Sequence, residues 1–185
     1  MRKIILFMHM SLDGYVAGPG DDILSFHDGG NDFEAFSLEG SAQVDSILYG
    51  HTTYTMMKNY WPTPEAIASA PEIAQFINDR PKYVVSHQPF EPGWQHVTVL
   101  SGDMPSAIRQ LKAQPGKNII VFGSNTLCAS LVEHGLLDEI QIMLNPFVFG
   151  GGTPLFKGLP HKANFKLVGT QKFPSGNLLL AYVPQ

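Results

Sequence analysis

Two short turns in this sequence carry residue types that bind phosphate groups. Gly123-Ser124-Asn125-Thr126 follows the apolar run 119–122, and Gly50-His51-Thr52-Thr53 follows the strand predicted at 44–49. In both places a buried strand is predicted to meet the start of a helix, where free backbone N–H groups and the positive end of the helix dipole attract anions. A single glycine is a weaker signal than the G-x-G-x-x-G pattern, so either turn alone could simply connect a strand to a helix.

Two further loops are predicted to lie at the same edge of the sheet as these turns. Residues 11–20 follow the first apolar strand and include three glycines and a proline, and Ser86-His87-Gln88 follows the strand that begins at Lys82. Because ligands of open α/β sheets bind beyond the carboxyl ends of the strands, the four segments predict one crevice. Two helix N-termini facing it could hold a dinucleotide, with the pyrophosphate at one and a ribose phosphate at the other.

The pattern of apolar residues predicts the elements that position these loops. Strands are predicted at residues 2–10, 44–49, 82–86, 97–100, 119–122, 138–144, 165–172 and 178–183. Helices are predicted at 31–36, from the Gly50 turn to just before Trp61, at 72–79, at 106–114, and from a cap at Ser124 or Asn125 to Gly135, with 11–20 and 64–71 as loops. Strands alternating with helices predict a mostly parallel sheet, and the last two strands predict an antiparallel hairpin at its edge.

The composition favours a single domain, residues 1–185, that binds small molecules. The chain has 185 residues, 44% of them hydrophobic, and a net charge of −4 without a run of Lys or Arg, which argues against nucleic acid and acidic membrane surfaces as partners. The apolar run 4–10 is too short to span a membrane. The single cysteine, Cys128, provides no disulfide framework and is expected in the core, so we predict a cytoplasmic location.

Metal and hydrolase chemistry find little support in the sequence. The seven histidines show neither H-E-x-x-H nor H-x-H spacing, and His134 is expected at the surface or as a cap. The chain has no G-x-S-x-G motif, so Ser124 is not expected to be a nucleophile. We therefore predict neither a metal site nor a serine hydrolase.

Six motifs stand in one order along the chain: SLDGYVAG at 11–18, LYGHTTY at 48–54, KYVVS at 82–86, GS at 123–124, GLLDE at 135–139 and PFVFGGGTPLF at 146–156. Together they resemble the dihydrofolate-reductase-like family, in the branch that contains the reductase domain of the riboflavin-biosynthesis deaminase/reductase. The resemblance covers nearly the whole chain and implies a three-layer α/β fold, with a central mixed sheet flanked by helices. It also implies NADPH as cofactor and hydride transfer to a C=N bond of a pterin-like or aminopyrimidine substrate.

The resemblance also implies roles for individual residues. The loop at Val16 and Ala17 would lie against the nicotinamide. Gly123, Ser124, Asn125 and Thr126 would cradle the pyrophosphate, while Gly50, His51, Thr52 and Thr53, together with Ser86, His87 and Gln88, would hold the adenosine ribose and its 2′-phosphate. His51 stands where the family usually has an arginine that pairs with this phosphate. Because histidine is only partly charged at pH 7, the choice between NADP and NAD stays open.

Reduction of a C=N bond also needs a proton, and one segment of the chain is rich in groups that could supply it. Asp32 falls near the substrate-binding carboxylate of dihydrofolate reductases and is the candidate catalytic residue. His27, Asp28 and Glu34 are further candidates, although all four could equally belong to a solvated loop, and an ordered water could donate instead.

Two properties of the whole protein complete these expectations. Apolar residues around the glycine turn (Phe147, Phe149, Leu155 and Phe156), and the pairing of related reductase domains through their sheet edges, predict a homodimer. The H-x-E and P-C-x-x-C signature of a zinc deaminase is absent from the sequence. The alternative to a reductase is a non-catalytic member of the fold that binds a nucleotide or serves as an interaction module.

Overall fold

The computed structural model of the protein describes residues 1–27, 40 and 42–185. The strands are β1 (Ile4–Ser11), β2 (Tyr15–Ala17), β3 (Val44–Gly50), β4 (Lys82–Val85), β5 (Val97–Leu100), β6 (Asn118–Val121), β7 (Glu139–Asn145), β8 (Thr153–Pro154), β9 (Phe165–Lys172) and β10 (Leu178–Pro184). The helices are α1 (His51–Tyr60), α2 (Pro64–Ser69), α3 (Pro71–Asp79), α4 (Met104–Ala113) and α5 (Asn125–Glu133), and a short 3-10 helix spans Leu24–His27. Most elements lie within one or two residues of the predicted ranges.

Eight of the strands form one mixed sheet in the order β5-β4-β3-β6-β1-β7-β10-β9. The first six strands in this order run parallel to one another, and β10 then pairs antiparallel with both β7 and β9. The predicted mostly parallel sheet with a C-terminal hairpin at its edge is therefore confirmed. Among the described residues, no helix is both long enough and apolar enough to cross a membrane.

Helices cover both faces of this sheet, because successive strand residues point to opposite sides. Leu48 of β3 packs in a core cluster with Ile108 of α4 and Leu131 of α5. The next residue, Tyr49, packs in a second cluster with Tyr54 of α1 and Ile77 of α3. The structure thus has the three layers that were predicted, with α4 and α5 on one face and α1 and α3 on the other.

The end of α5 shows how closely a local signal can match the structure. Gly135, predicted to end this helix, has a φ of +62°, in the left-handed region that glycine adopts at low cost. The N–H of Leu136 donates to the carbonyl oxygen of Leu131 at 2.9 Å, and that of Gly135 donates to Val132 at 3.1 Å. These two bonds form a Schellman motif, which satisfies the last carbonyl groups of the helix.

Two of the predicted loops contain secondary structure. Residues 64–71 were predicted as a loop, but α2 occupies most of them. Pro64 stands in the first turn of this helix, where its missing N–H costs nothing. Thr63 caps the helix, since its side chain accepts a hydrogen bond from the N–H of Ala66 at 3.2 Å. Within the loop 11–20, β2 pairs antiparallel with β8 to form a small second sheet. The helix predicted at 31–36 lies outside the described residues.

Candidate cofactor-binding site

The two predicted phosphate-binding turns lie side by side at the carboxyl edge of the sheet. Gly50 ends β3 and Gly123 follows β6, and these strands are direct neighbours. The backbone N–H of Gly50 donates to the carbonyl oxygen of Gly123 at 3.1 Å. α1 and α5 leave the two turns toward opposite faces of the sheet, so their N-termini border the predicted crevice. This is the arrangement that binds nucleotides in open α/β sheets.

The two turns interlock so tightly that each needs its glycine. A Cβ atom added to Gly50 would lie 2.3 Å from Oγ of Ser124, and one added to Gly123 would lie 3.0 Å from Oγ1 of Thr53. Gly123 also has a φ of +120°, which disfavours any other residue. Each turn therefore lies directly against a side chain of the other.

Neither helix N-terminus at this crevice is capped by a side chain. Gly50 occupies the N-cap position of α1 and Ser124 that of α5, and within the described part of the chain no side chain forms a capping hydrogen bond at either N-terminus. The Ser124 hydroxyl lies instead 3.1 Å from that of Thr126. By contrast, Thr63 caps α2 and Asp103 caps α4. The first-turn N–H groups of α1 and α5 are thus suited to an anion, and the residues present fit the phosphates of a dinucleotide.

The third predicted segment extends this crevice along the neighbouring strand. Ser86 directly follows β4, which pairs with β3, and its N–H donates to the carbonyl oxygen of Leu100 at 3.2 Å. Its hydroxyl donates to the carbonyl oxygen of Gln88 at 2.7 Å, which folds the turn, while the side chains of His87 and Gln88 are exposed. The loop 11–20 begins at the end of β1, which pairs with β6, so the structure brings all four predicted segments to adjacent strand ends.

An aromatic contact holds His51, which stands where the resemblance implies an arginine. The exposed imidazole of His51 lies edge-to-face on Phe90, with the ring centroids 4.6 Å apart. Phe90 also packs on Tyr54 at 5.5 Å, and the Tyr54 hydroxyl donates to the carbonyl oxygen of Pro92 at 2.5 Å. The loop after β4 is thus attached to the first turns of α1, which holds His51 beside the Ser86 turn.

The fourth segment, with Val16 and Ala17, belongs to β2 and is anchored to the core. Both side chains are buried, and Val16 packs in the same cluster as Leu6 and Leu127. The pairing of Ala17 with Thr153 of β8 holds this strand from the other side. The part of the loop assigned to the nicotinamide is therefore an ordered strand.

A group of aromatic side chains stands near the carboxyl end of β1, and sequence reasoning missed its role. Phe26 lies 5.4 Å from both Phe147 and Phe149, and 5.5 Å from the imidazole of His9. Phe147 and Phe149 were predicted to form a dimer contact, but each contacts Phe26 of the same chain. Their pairing with Phe26 depends on residues more than 100 positions away, which no local pattern reveals.

Polar groups lie beside these aromatic rings. Asn145 is buried at the end of β7, and its Nδ2 donates to the carbonyl oxygen of Met143 at 2.7 Å and lies 3.4 Å from Nδ1 of His9. The catalytic candidate Asp32, with Asp28, Glu34 and the side chain of His27, lies outside the described residues. In the described part of the chain, no three His, Cys, Asp or Glu side chains are grouped so that they could hold a metal ion.

The only cysteine of the sequence has no part in this chemistry. Cys128 is fully buried in α5, as predicted, and burial raises the pKa of its thiol to about 12. A thiol that stays protonated at neutral pH is a poor nucleophile.

Comparison with known proteins defines the family. Residues 2–179 match the sequence model of the family described as the RibD C-terminal domain, and the chain belongs to this family. Over 182 residues it is 30% identical to the uncharacterized protein YyaP of Bacillus subtilis (strain 168), which covers 98% of this chain and 94% of that protein. The predicted resemblance to the riboflavin-biosynthesis reductase branch is thereby confirmed.

Two solved structures place the fold. A diaminohydroxyphosphoribosylaminopyrimidine deaminase/5-amino-6-(5-phosphoribosylamino)uracil reductase from Thermotoga maritima matches with a TM-score of 0.70 at 16% identity, covering 100% of this chain and 57% of that one. A dihydrofolate reductase from Enterococcus faecalis complexed with NADP(H) matches with a TM-score of 0.65 at 11% identity, covering 99% and 96%. At these identities the likeness shows the fold, which is that of dihydrofolate reductase, and the family supports a reductase-type function.

Proposed function

We propose that this chain is an NADPH-dependent reductase of a small heterocyclic substrate, similar to 5-amino-6-(5-phosphoribosylamino)uracil reductase or to dihydrofolate reductase. The observation that carries the proposal is the pair of helix N-termini without side-chain caps, held together by the hydrogen bond from Gly50 to Gly123. Two such N-termini at adjacent strand ends match the pyrophosphate and the 2′-phosphate of a dinucleotide such as NADPH.

Different residues of the crevice would bind different parts of the cofactor. The first turn of α5, from Asn125, would bind the pyrophosphate through backbone N–H groups and the hydroxyl of Thr126. The first turn of α1, with His51 and the Ser86 turn beside it, would hold the ribose and its 2′-phosphate. NADPH, when bound, supplies the hydride, and the chain contributes binding, orientation and exclusion of water.

The aromatic group near β1 supplies a surface for the substrate. Flat heterocycles stack on aromatic rings, and the half-buried ring of Phe149, which packs on the buried Phe26, lies next to the strand end that adjoins the Gly123 turn. His9 and Asn145 add polar atoms at the same place. The proton for the reduced nitrogen would come from Asp32 or from an ordered water, as the sequence suggested.

A cofactor titration followed by a substrate screen tests this proposal. We expect calorimetry to detect NADPH binding with a dissociation constant in the micromolar range, and 2′,5′-ADP to compete for the same site. Dihydropterins and aminopyrimidines are then added one at a time, and oxidation of NADPH is followed by its absorbance. Absence of NADPH binding would refute the proposal. Binding without turnover of any heterocycle would favour the alternative, a non-catalytic nucleotide-binding module.

We also propose that the protein is a homodimer that pairs through the β9 edge of its sheet. The residues first predicted to form the contact have partners in their own chain, since Leu155 is buried and Phe147 packs on Phe149. On the hairpin, however, Leu167 and Val168 of the edge strand are 47% and 54% exposed. Exposed apolar residues on an unpaired edge strand favour pairing with another chain.

A further inference from the structure

One carboxylate joins the two loops next to Val16 and Ala17, the residues that the resemblance places against the nicotinamide. Asp13, two residues beyond β1, accepts a hydrogen bond at Oδ1 from the N–H of Phe149 at 3.1 Å and one at Oδ2 from the N–H of Gly150 at 2.8 Å. The hydroxyl of Ser11 donates a third bond to Oδ1 at 2.6 Å. A side chain near the start of the chain thus holds a loop that lies 136 and 137 residues further on.

Ser11 connects this carboxylate to the start of β2. Its side chain is fully buried, and its Oγ accepts a hydrogen bond from the N–H of Tyr15, the first residue of β2, at 3.1 Å. In the same region, the N–H of Leu12 donates to the carbonyl oxygen of Phe147 at 2.8 Å. The orientation of Asp13 and the position of β2 are therefore set by the same hydroxyl group.

The two loops also approach each other too closely for ordinary side chains. A Cβ atom added to Gly18 would lie 2.6 Å from the ring of Phe149, and one added to Gly152 would lie 2.1 Å from the carbonyl oxygen of Ala17. Because these contacts flank β2 on its C-terminal side and Asp13 stands on its N-terminal side, β2 is attached to residues 147–154 at both ends.

The chemistry of Asp13 suits this role better than that of its amide. A carboxylate only accepts hydrogen bonds, so each oxygen can serve one backbone N–H. In an asparagine, one of the two positions would be an NH₂ group facing an N–H, and one bond would be lost. The hydrogen bond from Ser11, followed by those from Gly150 and Phe149, lowers the pKa of Asp13, which keeps the exposed carboxylate ionised at neutral pH.

We propose that Asp13 is a positioning residue for the nicotinamide end of the cofactor, which it does not touch. It acts through the Phe149–Gly150 backbone and Ser11 and holds Val16 and Ala17 of β2 in place. The inference rests on the proposed binding of NADPH. It goes beyond that proposal because it names a carboxylate outside the crevice as the group that sets the position of the nicotinamide for hydride transfer.

The test compares two ligands on the full-length wild type and its Asp13→Asn variant. NADPH contains the nicotinamide, whereas 2′,5′-ADP contains only the adenosine part with its 2′-phosphate. The hydrogen bond to the carboxylate stabilises the loop conformation, so its loss lowers the affinity of a ligand that needs this conformation, by about 10-fold for a bond to a charged group. We therefore expect Asp13→Asn to raise the dissociation constant of NADPH by about that factor and to leave that of 2′,5′-ADP within about twofold.

Asp22→Asn is the matched control. Asp22 lies in the next loop and accepts hydrogen bonds from the backbone N–H groups of Leu24 and Ser25 and from the hydroxyl of Ser25. Within the described residues it forms no hydrogen bond with the loop 147–150. Its substitution should leave the ratio of the two dissociation constants unchanged. A readout without ligand is hydrogen exchange, which should become faster at the amides of Phe149 and Gly150 in Asp13→Asn and stay unchanged in Asp22→Asn.

The outcomes separate the inference from the proposed function. If the wild type binds neither ligand, the proposed function fails. If it binds both, and Asp13→Asn either keeps the affinity for NADPH or loses both ligands equally, Asp13 has no positioning role toward the nicotinamide. Should Asp13→Asn not fold, Ser11→Ala, which removes only the 2.6 Å bond and the link to Tyr15, must show the same selective loss for the inference to stand.

Discussion

Gly50 and Gly123 are joined by a backbone hydrogen bond of 3.1 Å, from the last residue of β3 to the turn that follows β6. Side-chain contacts reinforce this bond in both directions, since Ser124 lies against Gly50 and Thr53 lies against Gly123. The two proposed phosphate sites therefore cannot move independently. Their spacing is set by the protein before any cofactor arrives, which lowers the ordering cost of binding.

Replacing Gly50 with alanine should separate these turns. Its φ of −77° suits any residue, so the effect comes from contact alone, with the new Cβ atom 2.3 Å from Ser124 Oγ and 3.1 Å from Ser124 N. We expect Gly50→Ala to lower the free energy of unfolding by about 1–3 kcal/mol, the usual range for overpacking, and to weaken NADPH binding. Urea denaturation and calorimetry measure the two effects.

Gly151→Ala is the control for this substitution, because a Cβ atom there has no neighbour within 4 Å. The double variant Gly50→Ala/Ser124→Gly removes the clashing side chain and should regain part of the lost stability. If Gly50→Ala is as stable as Gly151→Ala, the close contact between the two turns does not contribute to the free energy of unfolding.

His51→Arg should strengthen the preference for NADPH over NADH. The arginine is the residue that the resemblance implies at this position, with a permanent charge and a forked set of donors for the 2′-phosphate. We expect NADPH to bind more tightly at pH 8 by about 1–2 kcal/mol, the scale of a charge-assisted hydrogen bond, and NADH to be unaffected. His134→Arg, at the far end of α5, makes the same change of charge away from the crevice. Equal gains in both variants would indicate general attraction and remove His51 from the site.

Local patterns in the sequence predicted the elements and the turns of this site with good accuracy. The strand–glycine–helix units at Gly50 and Gly123 and the helix end at Gly135 depend on neighbours within a few residues, so their signals are contained in short windows. Pro64 shows the limit of such signals, because a proline is equally typical of a loop and of the first turn of a helix. Only the capping bond from Ala66 to Thr63 distinguishes the two.

The remaining features depend on pairs of residues that are distant in the sequence. Asp13 stands in a segment whose sequence is typical of an open loop, and nothing local indicates that the backbone of Phe149 and Gly150 binds its carboxylate. In the same way, the apolar character of Phe147 and Phe149 indicates that something covers them, but nothing local indicates that Phe26 is one of their partners. That Phe26 covers them follows from the way in which the loops fold over β1.

The proposed dimer predicts that a charge on the edge strand separates the protomers. Val168→Asp places a carboxylate on β9 at a residue that is 54% exposed, and so it should not disturb the core. Light scattering should give twice the chain mass of 20.3 kDa for the wild type and the single chain mass for the variant. Ile67→Asp, at an equally exposed apolar residue of α2, should remain dimeric. A wild type that has the mass of one chain at high concentration would contradict the proposal.

Lys82 provides a prediction about stability and pH that is independent of the cofactor. Its side chain is 0% exposed at the start of β4, where Nζ donates to the carbonyl oxygens of Asn78 at 2.7 Å and Arg80 at 2.8 Å and lies 4.5 Å from the ring centroid of Trp94. Burial lowers the pKa of Lys82 to about 8, although the nearby Asp79 opposes this shift. In the unfolded chain a lysine titrates near pH 10.4, as a rough reference value.

Between about pH 8 and pH 10, therefore, the unfolded chain binds a proton at Lys82 that the folded chain has released. The free energy of unfolding must then rise with pH in this window, by at most about 1.4 kcal/mol per pH unit. Lys82→Met removes this contribution, so we expect the difference in unfolding free energy, wild type minus variant, to increase from pH 8 to pH 10. Burial raises the pKa of Tyr49 and Cys128, but both groups are present in the two proteins and cancel in the difference. Lys3→Met is the control, because the Lys3 ammonium group stays in water in both states, and its difference from wild type should not change over this range. A difference for Lys82→Met that is equally flat would mean that the buried ammonium group keeps its proton throughout, held by the carbonyl groups at the end of α3.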